Sequence, residues 1–249
     1  MPKNVRRRIP LALVAVSGLM TALTLSPAGA ADVEAPVTCF GQPVTIMGTD
    51  GPDTLVGLGN VRDVIYGGGG ADYISGGDFY DGGDAQDLLC GGPGPDRVTG
   101  SPGNDRLNGG RGKDFVDGGN GADVEHGNAG NDTVGKGSFQ DADIANDISR
   151  GGPGNDIVTG GWGEDQLYGN AGADQLYDDE CDGPTVLAGG RGNDYLESWS
   201  SSFDGWHQNV CNSVADTAVG SRGSDTAQLD RRDSVSTVEH LMRITQPTG

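Results

Sequence analysis

Apolar side chains are scarce in this chain of 249 residues, 34% of it hydrophobic and 6% aromatic, too little for the single large core that a globular chain of this length ordinarily buries. Positive charge is scarce as well. With 16 basic residues against 36 acidic ones the formal charge is −20, which argues against nucleic-acid or anionic-membrane partners and in favour of cations. The three histidines, His126, His207 and His240, belong to no H-E-x-x-H pair, so the zinc-protease arrangement is absent. The four cysteines, Cys39, Cys90, Cys181 and Cys211, lie too far apart for a C-x-x-C knuckle. An even number is expected to pair as disulfides in an exported protein, with all three pairings open. The longest apolar run, Leu11 to Leu25, contains Ser17 and Gly18 and is shorter than the ~18 residues a membrane span needs.

That run reads as part of a processing signal. Lys3, Arg6, Arg7 and Arg8 precede it, and Ala28 and Ala30 in "SPAGA" supply small residues before a cut. Residues 1–30 are expected to be a secretory signal peptide, giving a secreted, extracellular protein with no membrane span after cleavage. The mature chain keeps 12 basic and 36 acidic residues, a formal −24.

Glycine is in excess: 46 residues, more than twice the ordinary share. Low hydrophobicity with high net charge would read as disorder, but a strict nine-residue period reads as repeat structure. The aspartates of the repeat fall at Asp53, Asp63, Asp72 and Asp81. After a step of six they run unbroken through Asp87, Asp96, Asp105, Asp114, Asp123, Asp132 and Asp141. After another step of six come Asp147, Asp156, Asp165 and Asp174, with outlying units at Asp194 and Asp225. Each unit divides into a turn, where glycine supplies positive φ, and a short strand. Two residues after the aspartate an apolar side chain recurs between polar neighbours: Leu55, Ile65, Ile74, Leu89, Val98, Leu107, Val116, Val134, Val158, Leu167, Leu176 and Leu196. One inward side chain per strand makes a core only if the units stack, two per coil. Glu125 occupies an inward position and is expected to tilt outward or mark a loose coil.

The units "GGGGADYIS", "GGPGPDRVT", "GGRGKDFVD", "GGPGNDIVT" and "GGRGNDYLE" fit the string G-G-x-G-x-D-x-U-x, with U a large apolar residue. The chain thus resembles secreted proteins of the hemolysin-type calcium-binding, or RTX, repeat family. The resemblance implies an all-β fold, a parallel β-roll solenoid with multiple Ca²⁺ ions held between successive turns. It implies that turn carbonyls at Gly109, Arg111 and Gly112 join the carboxylate of Asp114. Each turn would work with the one eighteen residues away, Asp96 with Asp114 and Asp105 with Asp123. The ligand set carried over in this way also takes in Gly67, Gly68 and Gly70 with Asp72, Gly91, Gly92 and Gly94 with Asp96, and Gly118 and Gly121 with Asp123. Gly151 and Gly154 with Asp156, Gly160 and Gly163 with Asp165, and Asp132, Asp174 and Asp194 complete it. The chemistry agrees, since calcium takes six to eight oxygens with loose geometry and a turn stripped of Cβ atoms aims several carbonyls beside a carboxylate. A column of like charges needs a counterion.

The remaining stretches are less specific. "DDECDGPTVLAG" from Asp178 has EF-hand spacing at its start but ends on Gly189 instead of Glu, and reads as a loop insertion. "SWSSSFDGWHQNVC", residues 198–211, gathers Trp199, Asp204, Trp206 and His207 outside the repeat. Asp225 has no unit eighteen residues away and is expected to have little to hold. The expected organisation is a signal peptide (1–30), an N-terminal capping strand (31–47), calcium-binding roll repeats (48–197), a loop insertion (198–219), and a last degenerate repeat with a C-terminal cap (220–249). No catalytic residue is assigned and no enzyme is expected. The expected function is calcium-dependent folding with a structural or surface-interaction role toward a cell-surface or glycan partner. The alternative is a secreted carbohydrate-acting enzyme or glycan-binding module on the roll.

Overall fold

The computed structural model describes residues 36–77, 85–135, 145–178, 184–198, 217–229 and 234–243. Successive repeats feed two sheets in turn. The first sheet holds Ile46–Met47, Val64–Tyr66, Leu88–Pro93, Arg106–Arg111, Val124–Ala129, Ile148–Pro153, Gln166–Ala171, Val186–Arg191, Thr217–Val219 and Ser234–Ser236. The second holds Thr54–Val56, Tyr73–Ser75, Arg97–Thr99, Phe115–Asp117, Thr133–Gly135, Ile157–Thr159, Gln175–Asp178, Tyr195–Ser198, Thr226–Leu229 and His240–Arg243. Neighbours within each sheet are parallel, Phe115 lying opposite Arg97 on one side and Thr133 on the other. One coil is therefore two nine-residue units, and the fold is the parallel β-roll that the repeat implies.

Alternation along each strand turns the residue two places after each aspartate into the interior. All twelve anchors, Leu55 through Leu196, are at most 2% exposed. They form two files that meet between the sheets, joined by Leu187, Ala218 and Ala227. The interior is interrupted once. Glu125 and Ser149, opposite each other in register, occupy inward positions of the first sheet and divide the apolar core into a cluster ending at Val134 and another beginning at Val158.

The steps of six in the ruler are six-residue additions to a coil and not the loss of three residues that local spacing suggests. Val64 pairs with Leu88 and Tyr73 with Arg97, while Val124 pairs with Ile148 and Thr133 with Ile157, each 24 residues apart. Asp81 and Asp141 lie outside the described residues. A longer coil later brings Val186 opposite Thr217. In every case the added residues fall where a second-sheet strand returns to the first sheet. The opposite edge keeps turns of constant length from Asp53 to Asp225.

Thr38–Cys39 and Gln42–Pro43 form an antiparallel hairpin. Its two turn residues, Phe40 and Gly41, have φ of 49° and 76°, the left-handed pair that a type I′ turn requires. The hairpin lies on the outer face of the first sheet, where Cys39 packs with Val64, Leu88 and Cys90. A Cys39–Cys90 disulfide holds it there. Cys181 and Cys211 lie outside the described residues.

Candidate metal centre

The turn Gly109–Asp114 shows what each glycine does. Gly110 and Gly112 have φ of 116° and 137°, a region that side chains disfavour, and a Cβ on either would run into the backbone of Gly92 or Gly94 in the adjacent coil. A Cβ on Gly109 would sit 2.6 Å from Oδ2 of Asp114. The first glycine of the unit thus makes room for the carboxylate of its own turn, and the second and fourth let coils stack. In the preceding coil Gly91 stands in the same relation to Asp96 Oδ2, at 2.5 Å.

Stacking turns this local arrangement into two columns. Along the edge of constant turns, the N–H of Asp53 donates to Oδ1 of Asp72, and the pattern continues through Asp96, Asp114, Asp132, Asp156, Asp174 and Asp194 to Asp225 at 2.8–3.1 Å. The N–H of Asp225 then donates to Oε2 of Glu239 at 2.8 Å. Along the other edge Asp63, Asp87, Asp105, Asp123, Asp147 and Asp165 are linked in the same way at 2.7–2.8 Å. That column ends where the N–H of Asp165 meets the Thr185 hydroxyl at 3.3 Å. The ladder consumes one oxygen per carboxylate. The second, Oδ2, is buried without a hydrogen bond in Asp72, Asp96, Asp105, Asp114, Asp123, Asp132, Asp156, Asp174 and Asp194.

Buried carboxylates stacked in file resist ionisation. Burial, opposed by the ladder hydrogen bond and reinforced by neighbouring carboxylates, pushes Asp87, Asp96 and Asp156 up to about 6, Asp105, Asp114 and Asp174 up to about 7, and Asp123 up to about 10. Asp72, Asp132 and Asp194 are raised too, burial again being the first cause. A cation that supplies positive charge at Oδ2 removes this cost. No three His, Cys, Asp or Glu side chains converge on one point among the described residues. The donors are instead carboxylate oxygens in file with backbone carbonyls between coils, a hard oxygen set that suits Ca²⁺ and not the nitrogen and sulfur sites of zinc.

The residues expected from the sequence separate onto the two edges. Asp72, Asp96, Asp114, Asp132, Asp156, Asp174 and Asp194 stand in the first column, with Gly67, Gly68, Gly70, Gly91, Gly92, Gly94, Gly109, Arg111, Gly112, Gly151 and Gly154 in its turns. Asp105, Asp123 and Asp165 stand in the second, with Gly118, Gly121, Gly160 and Gly163. Asp96 neighbours Asp114, and Asp105 neighbours Asp123. Asp53, Asp63, Asp87 and Asp147 also belong to the columns, although only their place on the ruler signalled it.

Two expectations are corrected. Asp225 is not isolated: a 31-residue coil places it on Asp194, and it is fully buried and accepts N–H groups from Asp194 and Ser221. Glu125 does not tilt outward. It is buried, and it accepts hydrogen bonds from the Gly118 N–H and, at 2.5 Å, from the Ser149 hydroxyl. In the other coils a first-glycine N–H of this edge donates to a strand carbonyl of the next coil, as Gly100 does to Asp117. At Gly118, whose next coil carries the six-residue addition, the Glu125 carboxylate takes that role.

A family model described as the RTX calcium-binding nonapeptide repeat in four copies matches residues 47–82, 91–125, 99–134, 141–176 and 182–200, together more than half of the chain. No curated protein matches it.

Proposed function

The chain belongs to the family of RTX calcium-binding nonapeptide repeat proteins, and from that premise we propose that it is a secreted, non-catalytic structural protein whose roll forms when calcium enters its two aspartate columns. The repeats bind several Ca²⁺ ions. In our reading the ligands are the Oδ2 atoms of the column aspartates together with turn carbonyls such as those of Gly109, Arg111 and Gly112. The observation that carries the reading is the file of buried, hydrogen-bond-free Oδ2 atoms, each left facing a space that a Cβ would fill. With an apolar core one side chain wide and a mature charge of −24, the metal-free roll has little to offset its chain entropy, so binding energy becomes folding energy. Secretion is supported by the basic and apolar leader, and the Cys39–Cys90 bridge suits an oxidising compartment. The stretch that a catalytic alternative would use, 199–211, lies outside the described residues.

Circular dichroism of the EDTA-treated mature chain during calcium titration tests this reading. A disordered spectrum should convert to a β spectrum with a midpoint of ~10⁻⁴ to 10⁻³ M, the range of extracellular calcium modules. A β spectrum that EDTA leaves unchanged would overturn it.

A further inference from the structure

The outer face of the first sheet takes no part in the calcium columns. Its seven strands from Val64–Tyr66 to Val186–Arg191 contain a single carboxylate, Glu125, and that side chain is buried in the interior. In so acidic a chain, a sheet face without outward carboxylates is a local reversal of charge. Outward positions on three neighbouring strands carry Arg106, His126 and Arg150 instead, with His126 directly opposite Arg150. Strands lie ~4.8 Å apart, so the two guanidiniums and the imidazole between them cover ~10 Å across the sheet.

Aromatic rings bound this stripe at both ends. The Arg106 guanidinium carbon lies 4.5 Å from the centre of the Phe40 ring, and that ring is 6.4 Å from His126. The Arg150 guanidinium lies 5.0 Å from the Tyr168 ring. Phe40 reaches its place through a left-handed backbone conformation in the hairpin turn, next to the Cys39–Cys90 bridge. Burial, then Arg150 and Arg106, holds the His126 imidazole below its ordinary range. A guanidinium stacked on a ring keeps its in-plane N–H groups free for a bidentate anion.

We propose that this stripe binds an acidic polysaccharide, whose carboxylate or sulfate groups meet Arg106, His126 and Arg150 while its sugar rings lie against Phe40 and Tyr168. The surroundings favour this class over two others. Nucleic acid carries a charge every ~1.7 Å along its axis, far more than two guanidiniums on a ~10 Å stripe neutralise, and the rest of the chain is acidic. A membrane surface needs exposed apolar side chains, and none of the exposed large hydrophobic residues lies on these seven strands. A sugar polymer with one charge per residue or per disaccharide matches a short cationic stripe with aromatic ends.

The site exists only on the folded roll, so the proposal rests on the calcium reading. Isothermal titration of the mature chain in saturating calcium would use chondroitin sulfate and hyaluronan oligosaccharides as probes, with neutral dextran as control. Circular dichroism of the same samples reports whether the roll is formed. Binding to one or both acidic probes, weakened by added salt, is expected. Arg106→Gln/Arg150→Gln should weaken it at least about tenfold, and Arg97→Gln, on the second sheet, should leave it unchanged. Failure of the folded parent to bind either acidic probe overturns the proposal, as do equal affinities for parent and double variant. Tighter binding to single-stranded DNA or to phosphatidylserine vesicles overturns it too. If the chain is folded in EDTA and still binds, the calcium reading falls and the polysaccharide site stands.

Discussion

Replacing Asp114 with Asn separates a calcium ligand from a mere turn former, because the two roles predict different signs. Asn keeps the ladder: its Oδ1 still accepts the Asp96 N–H, now at 2.8 Å, and its own N–H still reaches Asp132 Oδ1 at 2.9 Å. What disappears is the charge on a buried oxygen that has no hydrogen bond. In the metal-free roll that charge is a liability, since burial first and the neighbouring carboxylates after it push Asp114 up to about 7. Against an unfolded value near 4, three units correspond to ~4 kcal/mol at pH 8, which water reaching the turn reduces to ~2 kcal/mol. In EDTA, Asp114→Asn should therefore be at least as ordered as the parent, and more stable by up to ~2 kcal/mol. With calcium the sign reverses. The lost ligand serves the turns on both sides, and ~2 kcal/mol of binding spread over several coupled ions should raise the calcium midpoint of folding about two- to threefold. The assay is a calcium titration followed by circular dichroism at fixed ionic strength, with the residual β signal of both chains in EDTA measured beside it. Identical midpoints for variant and parent would refute the reasoning, and so would a variant that is less ordered in EDTA.

Three further outcomes are expected. Raised carboxylates favour the metal-free roll below pH ~4 and lose that contribution as pH rises through 6–7, so the chain in EDTA should show more β structure by circular dichroism at pH 5 than at pH 8, and the reverse order would be wrong for this site. Glu125, pushed up to about 7 chiefly by burial, should be replaceable by Gln with a gain of ~2 kcal/mol at pH 8 that shrinks towards zero as pH falls to about 4; thermal melts in calcium at pH 8 and pH 5 check this, and a loss at pH 8 contradicts it. Limited proteolysis in calcium should cut within 78–86 or 136–147, where one edge carries its added residues, and cleavage confined to 91–132 would contradict the register.

The part of the fold governed by local chemistry is legible in the sequence. An aspartate after a glycine turn and an apolar side chain two places on suffice to mark Leu55 through Leu196 as interior, because the strand period of two leaves no other side to face. Register between coils is not local. Asp81 fits the nine-residue ruler as well as Asp87 does, and only the bond from the Asp63 N–H to Asp87 Oδ1, with the strand pairing around it, decides between them. The same holds for Asp225, which a 31-residue coil returns to Asp194. Glu125 misleads for another reason: its inward place looks like an error until the Gly118 N–H and the Ser149 hydroxyl are seen to need an acceptor. Glu239 and Thr185, which end the two columns, carry no motif at all, since each substitutes one oxygen for an aspartate outside the repeat string. The pairing of Cys39 with Cys90 needed the hairpin to be folded onto the first sheet.

Counting calcium ions while the chain compacts tests the central claim most directly. Native mass spectrometry and small-angle scattering of the mature chain, at matched calcium concentrations, should show several Ca²⁺ ions entering over the same range in which the radius collapses. Magnesium, which demands stricter geometry and gives up water reluctantly, should produce neither effect at those concentrations. A compact roll in EDTA that takes up no calcium on titration would contradict the claim.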